Sequence, residues 1–233
     1  MQLFFNPDIK DTDTTFFFDS NESKHIIKVL RKRNGDELWI TNGSGYLFEA
    51  IIIGDNIKKC EVDLISSKKT HPKSYWLHMA VAPTKMNDRF EWFLEKATEI
   101  GVDEITPIIC DRSERKVLKL ERMQRVLESA MKQSLQTYLP KLNEAISITE
   151  FLEKPISGLQ FIAHCEDTER HELKRRVAAD KDVTILIGPE GDFSPEEIKN
   201  AMQKGYAPVA MGKTRLRTET AAIVACTIIA TIN

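Results

Sequence analysis

The sequence predicts a two-domain α/β protein, a small β-barrel followed by a larger domain on a mainly parallel sheet. Three observations lead there. Residues 1 to about 68 carry short β-forming runs separated by turn residues. After Pro72 the rhythm changes to apolar strands alternating with amphipathic helices. Between them, Ser66-Ser67-Lys68-Lys69-Thr70-His71-Pro72 is polar and ends in proline, the pattern of a linker. The domains are therefore placed at 1–70 and 73–233.

In the first domain, Thr14–Phe18 and Glu37–Thr41 are strands. Asn42-Gly43-Ser44-Gly45 turns the chain into Tyr46-Leu47-Phe48, and Gly54-Asp55-Asn56 turns it again before Cys60–Ile65. One helix, Ser23 to Arg31, interrupts them, which fits a small barrel. In the second domain Trp76–Ala82 is a strand. Asp88–Ile100 is a helix, with Phe90, Phe93, Leu94 and Ala97 at helical spacing and Gly101 at its end. Ile105–Cys110 is a strand, and Leu120–Leu139 a long helix stopped by Pro140. Gln160–His164, Val183–Ile187 and Pro208–Met211 are short strands. Ser194-Pro195-Glu196-Glu197 is a capping box that opens a helix ending at Gly205, and Thr220–Ile232 is an apolar final helix.

Bulk properties narrow the function. Lys+Arg number 33 and Asp+Glu 35, a net charge of −2, so any contact with nucleic acid must use a local basic patch. Four cysteines, Cys60, Cys110, Cys165 and Cys226, lie far apart without a CxxC pair, which argues against zinc or a disulfide framework; three sit in apolar runs, which predicts buried free thiols. The start, Met1-Gln2-Leu3-Phe4-Phe5-Asn6, lacks a basic segment followed by an apolar run, and no stretch has the length of a membrane span. A cytoplasmic protein without metal or membrane association is expected. Two motifs fail on register. Gly212-Lys213-Thr214 has Ala207 where a phosphate-binding loop needs glycine, and Gly43-Ser44-Gly45 has Phe48 where a dinucleotide fingerprint needs one.

Two loops remain. Ile185-Leu186-Ile187-Gly188-Pro189-Glu190-Gly191-Asp192-Phe193 runs from a buried strand into a glycine-bearing turn and a capped helix. Glycines there let backbone approach a ligand closely, and the C-terminal ends of parallel strands are where open α/β sheets bind ligands. Met211-Gly212-Lys213-Thr214-Arg215-Leu216-Arg217-Thr218-Glu219-Thr220-Ala221 runs from another strand into the final helix. Thr218-Glu219-Thr220 fits simple capping. Two arginines before a helix N-terminus, which is already positive, fit an anionic partner better. His164, Cys165 and Glu166 end a strand beside these loops, either as ordinary strand-end polarity or as ligand contacts.

The order GPEG…LRTETA near the C-terminus resembles the RsmE family of SPOUT methyltransferases. Further blocks extend the resemblance along the chain: His25 with Val29-Leu30-Arg31; Ala82-Pro83-Thr84-Lys85; Glu95 to Val102; Arg112-Ser113-Glu114-Arg115; and Gln133-Ser134 before Pro140. The resemblance implies a PUA-like β-barrel, a SPOUT methyltransferase domain tied in an α/β trefoil knot, and a homodimer. It implies S-adenosyl-L-methionine held by Ile187, Gly188, Pro189, Glu190, Gly191, Met211, Gly212, Leu216, Arg217, Thr218, Thr220 and Ala221. It further implies methylation of N3 of a uridine in small-subunit ribosomal RNA, with Arg217 as the cation that stabilises the imide anion. Glu219 stands as either proton acceptor or structural partner of an arginine. RNA contacts fall on His25, Lys28, Arg31, Lys32 and Arg33 of the first domain and on Lys85, Arg112 and Arg115 of the second. The family usually has glycine where this chain has Asp192, and arginine near Leu3. The competing readings are a non-catalytic RNA-binding protein on the same scaffold, or an enzyme for another RNA. A side chain at Gly188 is expected to fill the cofactor space.

Overall fold

The computed structural model describes residues 2–166 and 170–233. The chain divides into two compact units, Met1–Pro72 with Met131–Leu139, and Lys73–Ala130 with Pro140–Asn233. The return of 131–139 to the first unit was not expected from the sequence.

In the first unit β1 (Leu3–Phe5), β2 (Thr15–Phe17), β3 (Glu37–Thr41), β4 (Tyr46–Asn56) and β5 (Lys59–Lys69) form one sheet in the order β1-β3-β4-β5-β2. Alternation along the strands turns Phe4, Leu38, Ile40, Phe48, Ala50, Ile52, Cys60 and Val62 into one core. Two sequence expectations change here. Gly54-Asp55-Asn56 continues β4, and the turn falls at Ile57-Lys58. Ser66 to Lys69 is strand rather than linker, paired with Tyr46 to Glu49. A strand with a solvated face carries polar residues that composition alone reads as linker. The expected helix splits into α1 (Ser20–Lys24), capped by Asp19 through Asn21 N and Glu22 N at 2.8 Å, and a π-helical turn, His25–Val29. Arg31, in the left-handed region at φ 59°, ends it.

The second unit contains β6 (Leu77–Val81), α2 (Asn87–Ile100), β7 (Glu104–Ile109), α3 (Leu120–Gln133), β8 (Lys141–Leu142), β9 (Ile146–Ser147), α4 (Ile148–Leu152), β10 (Leu159–Ala163), β11 (His171–Glu172), β12 (Val183–Ile187), α5 (Pro195–Gln203), β13 (Ala207–Ala210) and α6 (Thr218–Ile232). Its strands pair in parallel in the order β11-β13-β10-β12-β6-β7-β8, with β9 alongside β7. Every residue of β12 is buried, as a central strand covered on both faces requires. Gly101, at φ 102°, closes α2 in the left-handed cap that sequence predicted. The capping box of α5 is complete, Ser194 and Glu197 each accepting from the other's backbone N–H. In contrast, α3 stops at Gln133, well short of Leu139, with Leu135 at φ 57° just beyond it. Cys60, Cys110 and Cys226 are buried free thiols, whereas Cys165 is exposed. No helix among the described residues is long and apolar enough to cross a membrane.

Candidate active site

The strand order puts β10 between β12 and β13, with Ala163 level with Ile187 on one side and Val209 on the other. The loops after β12 and β13 therefore rise on either side of the end of β10. Between them lies a cavity of about 310 Å³, at the lower end of the ~300–1,000 Å³ typical of small-molecule sites.

The first loop is held from three directions. Thr218 Oγ1 donates to Gly188 O at 2.9 Å, tying the start of α6 to the end of β12. The backbone N of Lys85 donates to Glu190 Oε1 at 2.9 Å. The Arg112 guanidinium donates to Gly191 O at 3.0 Å and to Phe193 O at 3.2 Å. A Cβ at Gly191 would stand 3.1 Å from that of Arg112, so glycine permits the close approach. A Cβ at Gly188 would stand 3.1 Å from the ring of Phe193, which is fully buried in the domain core. The expectation for Gly188 is thus corrected: a side chain there presses on the core before it reaches the ligand space.

At the second loop Arg217 occupies the N-cap position of α6 without any side-chain cap. Thr218, 5% exposed, uses its hydroxyl on the other loop, so simple capping does not account for this threonine. Of the residues expected at the cofactor, Ile187, Gly188, Pro189, Glu190, Met211, Gly212, Leu216, Arg217, Thr218 and Ala221 line the cavity. Gly191 does not, because it is turned to Arg112, and Thr220 does not, because helical rotation carries it round α6. Glu219 is also displaced. It faces a separate depression with Asp88, Arg89, Trp92 and Thr220, and its Oε1 lies 3.8 Å from Arg89 Nε. Of the two roles expected for Glu219, this geometry favours the structural partner of an arginine, in an ion pair joining α6 to α2.

Cavity residues beyond the expected cofactor set include His164, Cys165, Arg170, Asp192 and Arg215. Asp192 adopts φ 64° and accepts from Cys165 N at 2.7 Å. A left-handed backbone explains the glycine usual in the related family, and the hydrogen bond offsets part of its cost for aspartate. His164 is 4% exposed; neither ring nitrogen has a hydrogen-bond partner among the described residues, and the same holds for Glu190 Oε2. Burial, with Arg170 nearby, lowers the His164 pKa against the opposing pull of Asp192 and Glu166. Native proteins rarely leave buried polar atoms unpaired, so three such atoms around one cavity point to a polar ligand.

The expected RNA-contacting residues separate by exposure. Lys28, Arg31 and Arg33 are exposed on the first unit. Lys32 donates to Glu37 O at 3.3 Å, and Arg33 donates to Ile27 O and Lys32 O at 3.3 and 3.1 Å. His25 lies edge-on to Phe4 and 3.3 Å from the Gln2 amide. On the second unit Lys85 Nζ pairs with Glu114 at 2.8 Å. Arg115 donates to Thr84 O and Lys85 O, at 2.7 to 3.1 Å. Arg112 and Arg115 thus spend some of their guanidinium donors on loop carbonyls, and the rest of each guanidinium keeps its charge. Leu3 is buried in β1 and faces no surface partner.

A larger cavity of about 550 Å³ opens at the opposite, N-terminal ends of the strands. Its polar groups satisfy one another: His78 Nε2 meets Thr106 Oγ1 at 2.8 Å, while Asn143 and Lys141 donate to Glu104 at 2.8 and 2.9 Å. Unpaired groups and strand polarity both favour the smaller cavity.

An RNA methyltransferase domain family matches residues 71–230, and an RNA methyltransferase PUA domain family matches 18–65. Ribosomal RNA small subunit methyltransferase E of Rickettsia conorii is 31% identical, over 88% of this chain and 85% of its own length. A crystal structure from Porphyromonas gingivalis described as a "probable rRNA-methyltransferase" is 41% identical, with TM-score 0.92, covering 100% of this chain and 98% of the other. Ribosomal RNA small subunit methyltransferase E from Neisseria gonorrhoeae, solved bound to S-adenosyl methionine, is 26% identical, with TM-score 0.87, covering 99% and 97%. With a domain match spanning most of the sequence and a full-length relative of this identity, the chain belongs to the ribosomal RNA small subunit methyltransferase E family.

Proposed function

We propose that the protein transfers a methyl group from S-adenosylmethionine to N3 of a uridine in small-subunit ribosomal RNA. The observation that carries this reading is the cavity between the two loops, joined by Thr218 and Gly188 and walled by the His164 ring and Glu190 Oε2, which have no hydrogen-bond partner among the described residues. Backbone of Gly188, Met211 and Leu216 would hold the adenine. When bound, the cofactor supplies an electrophilic methyl on a sulfonium.

The chain's own residues position and polarise the base. Uridine N3 is a weakly acidic imide, and a cation at its carbonyl oxygens favours loss of the proton. Arg217 suits that role: it is exposed, lines the cavity, and stands at the start of α6. The N3 edge is occupied in a base pair, so the target enters unpaired or flipped out. Lys28, Arg31 and the neighbouring basic residues of the PUA-like unit would meet RNA phosphates.

The reading extends to architecture. The segment after β13 must pass β10 and β12 before α6 packs on α2 and β6, and the turn Leu173–Arg175 also contacts α6. That path supports a C-terminus threaded as a trefoil knot. Partly exposed Ile223, Val224, Ile228 and Ile232 on α6, with Trp92 43% exposed on α2, support a homodimer across this face. The protein works in the cytoplasm on the small ribosomal subunit.

The test is transfer of tritiated methyl to small subunits and to their free RNA, followed by nucleoside analysis. Label on N3-methyluridine is expected. Label on a ribose or on transfer RNA overturns the uridine-N3 assignment, and cofactor binding without transfer to any RNA would favour the non-catalytic reading.

A further inference from the structure

Among the described residues, the imidazole of His164 is a buried polar group that the fold leaves without a partner at either nitrogen. It sits at the end of β10, at the floor between the two ligand loops. The peptide group that follows His164 is held at both its oxygen and its nitrogen. Arg170 Nη1 donates to His164 O, and Cys165 N donates to Asp192 Oδ2 at 2.7 Å. Asp192 holds this bond from a left-handed backbone at φ 64°, a conformation that glycine adopts more readily. A strained residue thus anchors the backbone beside an unpaired ring.

We infer that His164 hydrogen-bonds the nucleoside half of the cofactor, and that Asp192 is the positioning residue that holds it there. This rests on the cavity being the S-adenosylmethionine site. A neutral imidazole offers one N–H donor and one lone pair, which complements a ribose hydroxyl or an adenine edge. The amino-acid end of the cofactor carries full charges, and the cavity already has charged partners for it in Arg170, Glu190, Arg215 and Arg217. Burial keeps the ring in its neutral form, and a neutral ring does not repel a cationic cofactor.

Calorimetry with S-adenosylhomocysteine and with 5′-methylthioadenosine, which lacks the amino-acid end, separates the alternatives. His164→Phe keeps the ring's bulk and deletes its polar atoms. It is expected to weaken both ligands by the same factor, about tenfold for two neutral hydrogen bonds. The ligand-free variant should be as resistant to urea as the wild type or more so, because an unpaired buried polar group has been removed. A structural histidine would behave the other way, losing stability with little change in affinity. Asp192→Ala should produce a smaller loss for both ligands, restored by Asp192→Asn, whose amide oxygen still accepts from Cys165 N.

Loss confined to S-adenosylhomocysteine would place the ring at the amino-acid end, and equal binding by wild type and His164→Phe would remove the contact altogether. Either overturns the inference. Failure of the wild type to bind either ligand would instead overturn the cofactor-site reading beneath it. Should His164→Phe not fold, the ring 15N resonances of wild-type His164 carry the same test, since they must shift on addition of 5′-methylthioadenosine.

Discussion

Thr218→Val isolates the hydrogen bond that joins the two ligand loops. Valine has nearly the shape of threonine and a similar helix propensity, so the change removes an oxygen and little else. In the wild type Thr218 Oγ1 donates to Gly188 O at 2.9 Å from a side chain only 5% exposed. Deleting the donor leaves a buried carbonyl without this partner, a loss of about 1–3 kcal/mol. Because the bond spans the cavity wall, the same loss should appear in ligand affinity to the extent that the loops separate, with about tenfold for each 1.4 kcal/mol. Urea unfolding followed by calorimetry with S-adenosylhomocysteine measures both, and Thr218→Ser, which keeps the hydroxyl, should return most of each. A valine variant with unchanged urea midpoint and unchanged affinity would show that the loops hold their spacing without this bond.

Three further outcomes are expected. Arg217→Ala should leave S-adenosylhomocysteine affinity within a few-fold in calorimetry and lower methyl transfer to small-subunit RNA by about two to three orders of magnitude, the scale for losing a charge that stabilises the transition state; wild-type turnover would make the arginine structural. Lys28→Ala should weaken RNA binding in a filter assay and flatten its salt dependence, leaving turnover at saturating RNA unchanged, because Lys28 is an exposed cation. For pH, burial outweighs the attraction of Glu104 and pushes the His78 pKa down from 6.5 to about 4. The unfolded chain therefore binds more protons between these values, and a contribution on the order of 3 kcal/mol, complete above about pH 6.5, is lost as pH falls towards 4. His78→Gln should flatten the urea-stability profile across that window, and an unchanged slope would assign it to other groups.

Local signals were legible where one element determined them. Ser194 with Glu197, Gly101 after α2, and the unbroken apolar run of β12 each act within a few residues, and the structure places them as the sequence suggested. What depended on a distant partner was not. Ser66 to Lys69 is strand only because Tyr46 to Glu49 lies opposite, and the short strand Lys141–Leu142 exists only beside β7. That Arg112 and Arg115 also brace loops was hidden because the carbonyls they donate to, at Gly191 and Phe193 and at Thr84 and Lys85, are remote in sequence. Leu3 likewise became a core position through its place opposite Trp39.

The chemistry of the second loop turns on helix phase, and here the sequence held more than composition reveals. Successive residues of an α-helix are rotated by about 100°, so positions three apart share a face. Thr218 and Ala221 both line the cavity, as that spacing demands, while Glu219 and Thr220 are carried round towards Asp88, Arg89 and Trp92 of α2. Once Thr218 is committed to Gly188, Glu219 cannot serve the same cavity from the same helix. Under the proposed uridine-N3 reaction, the imide proton leaves with help other than this carboxylate. Arg217, one residue before the helix begins and still exposed at the cavity, stands nearer α6 than Arg215, the other arginine that this segment brings there. Glu219→Gln is therefore expected to keep methyl transfer within a few-fold of wild type while weakening the contact with Arg89, whose Nε lies 3.8 Å away. A loss comparable to that of Arg217→Ala, with stability to urea unchanged, would return Glu219 to the reaction and refute the phase argument.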